Sequence, residues 1–471
     1  MKLQLLFQCS WKKMSKIKID TIAALSTPAG RAAISMIRVS GPDTFEILKK
    51  VFKKGGKRAF PLHYSAYFGS IIEPETGYAA DQVIVNTYLA PKSYTGEDLA
   101  EISTHGNPVV VSKVLSILFK NGARQAEKGE FTRRAFLNGK MDLLEVEALS
   151  QLLYASSSTQ ARLALNQLDG LPSKYIAKVR EELLNQLVQL EASLNFPEDA
   201  IESIDEDALK ATLQKILSEL VLFADNARNG SLISEGLKVA IVGKPNAGKS
   251  SLMNYLLGRD RAIVTDIPGT TRDTLEESLI IGSMPVKLID TAGMRKADNS
   301  IEAIGIERTE KAIDSAFAVI GVFDGSQESD EEDKAVLHRL KSLDKPVLII
   351  ENKSDLPNKL EKEFLAGLKV IKISALKGEG MAELISALTE ILKADGIGSL
   401  EEMVLLGASQ TNALDKALTA LKRAEAGIGN IYQDMLAIDL EEAVRELGRV
   451  NGETVDVNTL DMIFERFCIG K

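Results

Sequence analysis

The chain has 471 residues, 45% hydrophobic and 26% charged, and only two cysteines, Cys9 and Cys468. That composition fits about two to four globular domains and excludes a low-complexity chain, a disulfide scaffold and, with no apolar run of sufficient length, a membrane-spanning helix. The net charge of −9 is uneven: residues 1–140 carry 21 Lys+Arg against 11 Asp+Glu, the remainder 36 against 55. A basic N-terminal part suits phosphate or carboxylate ligands, or is a solvated surface, while the acidic remainder argues against broad nonspecific nucleic-acid binding.

The elements follow in chain order. Residues 1–13 hold an apolar stretch too short for a signal-peptide core, and read as an N-terminal extension ahead of Met14. Paired with sparse cysteine, this favours a reducing, cytoplasmic setting. Residues 14–135 mix short β-rich runs (Thr21–Leu25, Ala33–Val39, Gln82–Leu89) with turn signals such as Ser40-Gly41-Pro42, and predict a helix at Pro108–Lys120. Residues 136–235 show almost no strand signal. Leu143, Leu144, Val146, Leu149, Leu152 and Leu153 recur at helical spacing, followed by amphipathic runs at Lys178–Ser193 and Asp207–Asn229. Residues 236–394 alternate strand and helix, which signals a parallel sheet. Residues 395–471 turn helical again over 401–448, with Leu405, Leu406, Leu414, Leu418 and Leu421 on one face. The pattern is a multidomain α+β chain: an N-terminal α/β domain, a discontinuous all-helical domain, and an α/β domain inserted between its halves. The leucine stripes need no reading beyond core packing.

The inserted domain carries the chemistry. A buried strand at Leu237–Val242 runs into Gly243-Lys244-Pro245-Asn246-Ala247-Gly248-Lys249-Ser250, the phosphate-binding pattern in its required strand-to-helix context. Its glycines let N–H groups converge on phosphate, Lys249 brings charge to the β- and γ-phosphates, and Ser250 offers a hydroxyl to Mg²⁺. Leu288–Gly293 ends a strand with Asp290, placed to reach the Mg²⁺ shell through water, and Gly293 can donate to the γ-phosphate. Between them, Gly269–Asp273 is a polar loop in which Thr271 is the second hydroxyl for Mg²⁺. Val347–Glu351 leads into Asn352-Lys353-Ser354-Asp355. The Asp355 carboxylate accepts from N1–H and the 2-amino group of guanine, and adenine would leave it unpaired. Ser374-Ala375-Leu376 brings a backbone N–H to guanine O6. The expected GTP contacts are Asn246, Ala247, Gly248, Lys249, Ser250 and Ser251; Thr265, Asp266, Ile267, Pro268, Gly269, Thr270 and Thr271; Asp290, Thr291, Ala292 and Gly293; Asn352, Lys353 and Asp355; and Ser374 and Ala375.

Hydrolysis needs an oriented water and positive charge on the transition state. Met294 occupies the place where many GTPases carry a water-orienting glutamine. The candidates are then Arg295, Glu302 and Glu307. Arg272 or a bound monovalent cation would supply charge, the cation held by a carbonyl oxygen of Asn246 and by carbonyls of Thr265–Thr270.

Together with residues outside the inserted domain, these motifs resemble the MnmE (TrmE) family of tRNA-modifying GTPases over nearly everything after Met14. The most specific marks are Thr27–Arg31, Tyr94-Thr95-Gly96-Glu97-Asp98, the run Gly129–Lys140, and the terminal Phe467-Cys468-Ile469-Gly470-Lys471. His105-Gly106-Asn107 stands where many members have His-Gly-Gly. The resemblance implies that the N-terminal domain binds folate and dimerises, and that the G domains pair in a K⁺-dependent manner. K⁺ would sit on Asn246, Thr265, Ile267 and Thr270, and Mg²⁺ on Ser250 and Thr271, with Glu302 orienting the water. Catalytic roles then fall to Glu302, Lys249, Arg272 and Cys468. Matching residues place a tetrahydrofolate derivative (5,10-methylene or 5-formyl) on Arg38, Glu101, Lys140 and Lys471. The implied partners are a second copy of the chain, the flavoprotein MnmG (GidA) in a heterotetramer, and tRNA, whose wobble uridine receives an aminomethyl-type group. The alternative is a regulatory or ribosome-assembly GTPase. Such proteins usually append an RNA-binding domain after the G domain, where this chain has helices and a Cys-containing tail. A metal-cluster maturation GTPase would want clustered cysteines.

Overall fold

The computed structural model describes residues 20–195, 205–259, 276–290, 302–361, 363–394, 403–430, 432–453 and 457–471. The chain forms two compact units, one of residues up to Val146 together with Thr454–Lys471, the other of Glu147–Glu453.

In the first unit, β1 (Ile22–Leu25), β2 (Ile34–Ser40), α1 (Thr44–Val51), β3 (Phe52–Lys54), β4 (Ser65–Ile72), β5 (Ala79–Tyr88), β6 (Leu99–His105), α2 (Pro108–Lys120), β7 (Arg124–Gln125) and α3 (Glu130–Leu137) follow in order. The strands make one sheet in the order β3-β4-β5-β6-β2-β1-β7. Period-2 alternation explains its two faces. Ile37 and Val39 of β2 and Ile102 of β6 point into a core capped by Val114, Ile117 and Leu118 of α2. The residues between them, Arg38 and Glu101, lie directly opposite one another in the β2–β6 register. Helix α2 begins at the expected residue, because the Asn107 side chain accepts from Val109 N–H at 2.9 Å and Pro108 has no N–H to leave unpaired. The extended segments at Ser65–Ile72 and Leu99–His105 carry weaker signals in the sequence. Their strand character shows in the ladder they share with β5.

Residues 457–471 belong to this compact unit. The reason is a buried aromatic and main-chain seam. From α14 (Val457–Phe464), numbered here in chain order, Phe464 packs on Phe136 with ring centroids 6.3 Å apart, and Phe467 packs on Phe464 at 6.1 Å. Beyond it, Phe131 N–H donates to Lys471 O at 3.2 Å and Ser26 Oγ to Gly470 O at 3.0 Å. Gly470 has φ +99°, and a Cβ there would lie 2.1 Å from Leu25 O, so only glycine passes.

The second unit holds α4 (Leu143–Tyr154, entering from the first unit), α5 (Ser158–Leu168), α6 (Leu171–Asn195), α7 (Glu206–Glu235), β8 (Leu237–Val242), α8 (Lys249–Arg259), β9 (Glu276–Ile281), β10 (Met284–Asp290), α9 (Glu302–Ser315), β11 (Ala318–Asp324), α10 (Glu331–Lys341), β12 (Val347–Asn352), β13 (Val370–Lys372), α11 (Met381–Ala394), α12 (Ala408–Gly427) and α13 (Gln433–Val450). Its sheet runs β13-β12-β11-β8-β10-β9, parallel throughout except for the antiparallel edge β9. Buried strand residues such as Val239, Ile241 and Leu288 share a core with Leu163 of α5, Ile233 of α7 and Leu405.

The helix expected from residue 401 does not start there. Among the described residues, 403–407 are not helical and α12 opens only at Ala408. Buried Gln167 takes both main-chain groups of Leu405, donating to its carbonyl at 2.8 Å and accepting from its N–H at 2.7 Å. Gly407 N–H goes to Glu147 and Gln410. With its polar groups satisfied from outside, this buried stretch has no need of helical hydrogen bonds. Leu405 and Leu406 therefore do not share a helix face with Leu414, Leu418 and Leu421.

Candidate functional site

β8, between β11 and β10, delivers its loop at the C-terminal end of the parallel sheet, where open α/β sheets bind ligands. Gly248 sits at φ +99°, and a Cβ on it would lie 2.0 Å from Asn352 Nδ2. That closeness is used: Asn352 Nδ2 donates to Ala247 O at 2.9 Å, while its Oδ1 accepts from Ala375 N–H at 3.0 Å. One side chain thus ties the phosphate loop to the loop after β13. Asn246 takes the left-handed conformation, φ +66°, which Asn tolerates better than most residues. Lys249 opens α8, and its ammonium donates to Gly243 O at 2.6 Å and Lys244 O at 2.7 Å. Ser250 and Asn246 are exposed.

The loop after β12 is equally fixed. Lys353, at φ +65°, pairs with Asp324 Oδ2 at 2.5 Å. Burial pushes the Asp324 carboxyl up, but hydrogen bonds from Lys353 and Ser326 outweigh it and hold the group below its ordinary value. Asp355 Oδ1 accepts from Ser374 Oγ at 2.7 Å, and this bond holds its carboxyl below the usual range. Asp355 is therefore an anion at neutral pH, an acceptor-only group suited to two guanine N–H donors. Because Ala375 donates its N–H to Asn352, its part in the site is to carry that tie.

Asp290 closes β10 and Glu302 opens α9, one at each border of the 291–301 segment. Thr265, Asp266, Ile267, Pro268, Gly269, Thr270, Thr271 and Arg272 lie outside the described residues, as do Thr291, Ala292, Gly293, Met294 and Arg295.

A second constellation lies in the first unit. Arg38 donates to Glu101 Oε1 through Nε at 3.2 Å and through Nη2 at 2.8 Å. Its guanidinium stacks over Tyr94 and Phe131, 5.0 Å and 5.6 Å from the ring centroids. Arg38 is only 8% exposed, yet its Nη1 is buried without a hydrogen-bond partner. Tyr88 Oη lies 3.4 Å from Glu101 Oε2, and burial together with the Glu101 charge raises its pKa. The terminal segment adds Lys471, whose pKa is lowered by burial first and then by the nearby Arg38 charge, with Glu101 opposing. The structure thus gathers Arg38, Glu101 and Lys471. Lys140 stands on the exposed turn after α3, near Gly96, with no ion pair to that group. Cys468 is exposed, and its carbonyl accepts from Gly129 N–H at 3.4 Å.

A network beneath this cluster, not legible in the sequence, accounts for two of the runs quoted above. Arg134, 3% exposed, reaches Asp20, Glu97 and Glu130, and Arg124 pairs with Asp20 and Glu130. Tyr94 Oη and Thr132 Oγ1 are 2.8 Å apart. The runs at 94–98 and 129–140 are thereby held against each other. Tyr88 was also missed. Only the strand register places it diagonal to Glu101, so its signal was simply an aromatic on the outward parity of β5.

Among the described residues, no helix is long and apolar enough to cross a membrane. The family described as MnmE helical domain matches residues 143–468, and the one described as GTP-binding protein TrmE N-terminus matches 21–140. Over 457 residues the chain is 40% identical to the tRNA modification GTPase MnmE of Natranaerobius thermophilus, covering 96% of this chain and 99% of that protein. The namesake of Acetivibrio thermocellus is 39% identical over 461 residues, covering 96% and 100%. That of Lactococcus lactis subsp. cremoris is 40% identical over 459 residues, covering 96% and 99%.

Proposed function

From the premise that the chain belongs to the tRNA modification GTPase MnmE family and hydrolyses GTP, we propose that it acts with a reduced folate and a flavoprotein partner, MnmG, on the wobble uridine of certain tRNAs, adding an aminomethyl-type group at C5. The observation that carries the folate reading is the buried Arg38, whose Nη1 has no partner although Glu101, Lys471 and two aromatic rings surround the guanidinium. An unsatisfied buried donor on a charged group is costly, and a ligand acceptor would relieve it. A folate fits on chemical grounds: its pterin edge can offer donors to Glu101 and an acceptor to the adjacent Arg38 Nη1, and its glutamate carboxylates suit a lysine such as Lys471 or Lys140. When bound, the folate supplies the one-carbon unit. Arg38 and Lys471 orient it, Tyr94 and Phe131 wall it from water, and Cys468 takes part in the modification.

In the G domain, Lys249 holds the β- and γ-phosphates, and Ser250 with Thr271 would hold Mg²⁺. Met294 cannot orient water; of Arg295, Glu302 and Glu307, the family resemblance favours Glu302, and Arg272, or K⁺ held by Asn246, Thr265, Ile267 and Thr270, would supply positive charge to the transition state. The left-handed Asn246 supports that reading by turning the loop at the residue assigned to the cation. The active form is a homodimer in the cytoplasm, joined to MnmG as a heterotetramer.

The deciding experiment is mass analysis of tRNA wobble uridines in a strain lacking the protein, expected to show the modification gone. Intact modification would end the proposal. Titration with 5-formyltetrahydrofolate should show binding that Arg38→Ala weakens, and absence of binding to the whole protein would remove the folate site. GTP turnover is expected to rise sharply when K⁺ replaces Na⁺, and equal rates would remove the cation.

A further inference from the structure

The side chain of Lys244, the second residue of the phosphate loop, has no part in the chemistry above, yet it is firmly anchored. Its side chain is 9% exposed, and Nζ lies 2.5 Å from Asp333 Oδ2 and 3.0 Å from Asp330 Oδ2. Both carboxylates belong to the start of α10, where a capping box fixes them. Asp330 Oδ1 accepts from Asp333 N–H at 2.9 Å, and Asp330 N–H returns to Asp333 Oδ2 at 3.3 Å. The helix start is therefore a rigid double-carboxylate post beside the loop.

The main chain of the same residue faces the chemistry. Lys244 O accepts from Lys249 Nζ at 2.7 Å, alongside Gly243 O at 2.6 Å. The direction of the Lys249 ammonium is thus set by two loop carbonyls, and the peptide bearing one of them is held by the Lys244 side chain. We infer that Lys244 is a positioning residue for GTP hydrolysis: clamped to Asp330 and Asp333, it holds the carbonyl that aims Lys249 at the β- and γ-phosphates. Catalytic geometry is sensitive to displacements of about 1 Å, so a loop free to drift by that much loses both phosphate binding and turnover.

Removing Lys244 alone would leave the buried Asp333 carboxylate uncompensated, which by itself destabilises a fold. The informative variant is therefore the pair Lys244→Met with Asp333→Asn, which keeps the cap acceptor and leaves no buried orphan charge, since the Asp330 side chain is exposed. Its kcat/KM for GTP is expected to fall about tenfold, the weight of one charge-assisted hydrogen bond. Lys244→Arg should restore most of the loss. In a Lys249→Ala background the same pair should change binding of a fluorescent GDP analogue by less than about twofold, because the clamp acts through Lys249. Wild-type turnover in the paired variant would overturn the inference. So would a full further loss of GDP binding in the Lys249→Ala background, which would show that the clamp serves the loop by another route.

Discussion

The nucleotide site and the Arg38 cluster are built from different materials. At the nucleotide site the working parts, main chain and side chain, sit on short contiguous runs. A loop at Gly243–Ser250, a tie from Asn352 to Ala247, and a carboxylate at Asp355 oriented by Ser374 all come from short contiguous runs. The Arg38 cluster is made of side chains from residues 38, 101 and 471, brought together by a strand register and a terminal strap. A site of the first kind tolerates change outside its runs. One of the second kind depends on every element that carries a member to its place.

Replacing Lys249 by Ala should give the largest effect. GTP turnover is expected to fall about a thousandfold or more, since a preorganised charge on the phosphates is lost. Binding of 5-formyltetrahydrofolate to the same preparation should stay unchanged, and a parallel loss of folate binding would break the separation of the two sites.

Asp355→Asn comes next. An amide can donate to the 2-oxo group of xanthine where the carboxylate could only accept, so preference should move from GTP toward xanthosine triphosphate by about a hundredfold. Competition binding measures it, and unchanged preference would mean that Asp355 does not read the base.

Gly470→Ala tests the dependence on the strap. The new Cβ would meet Leu25 O at 2.1 Å, so the strap must shift. Folate affinity and first-unit stability should fall by about 2 kcal/mol, the range for strain at a special backbone position. GTP turnover per folded molecule should hold. Undiminished folate affinity would show that Lys471 does not need its strap.

The smallest effect is on acid stability. Bonds from Arg124 and Arg134 hold Asp20 below its ordinary 3.8. Burial raises Glu130, but Arg124 and other donors more than reverse this and hold it below 4.5. For carboxyls lowered in the folded state, the stability they contribute is present above the ordinary value and lost as pH falls through the folded one. Hydrogen-exchange protection factors in α3 should therefore fall below about pH 4, and less so in Glu130→Gln. Equal acid sensitivity in that variant would remove the network from the account.

Legibility followed the same division. The parallel sheet of the inserted domain, the strand before each nucleotide loop and the helix at Pro108–Lys120 were readable, because strand and cap signals are local. Leu405 and Leu406 misled because their apolar spacing fits a helix, and nothing nearby reveals that Gln167, far along the chain, will take the backbone of Leu405. Tyr88 and the Asp20–Arg124–Glu130–Arg134 network were invisible for a like reason. Singly, each is an ordinary residue, and only register and burial make it a partner.

Sequence by itself located the candidate nucleotide loops. Phosphate and guanine are recognised by backbone shapes and single carboxylates that particular residue types produce over a few consecutive positions, wherever the loop is placed. It also named Arg38, Glu101 and Lys471, though by resemblance and not by spacing. Tertiary structure alone decided that these three meet, that Arg38 keeps a buried donor unpaired, and that Lys244 is clamped to α10. Proximity between distant side chains depends on strand pairing, on helix caps and on where the terminal segment packs, and no local stretch of residues encodes any of these.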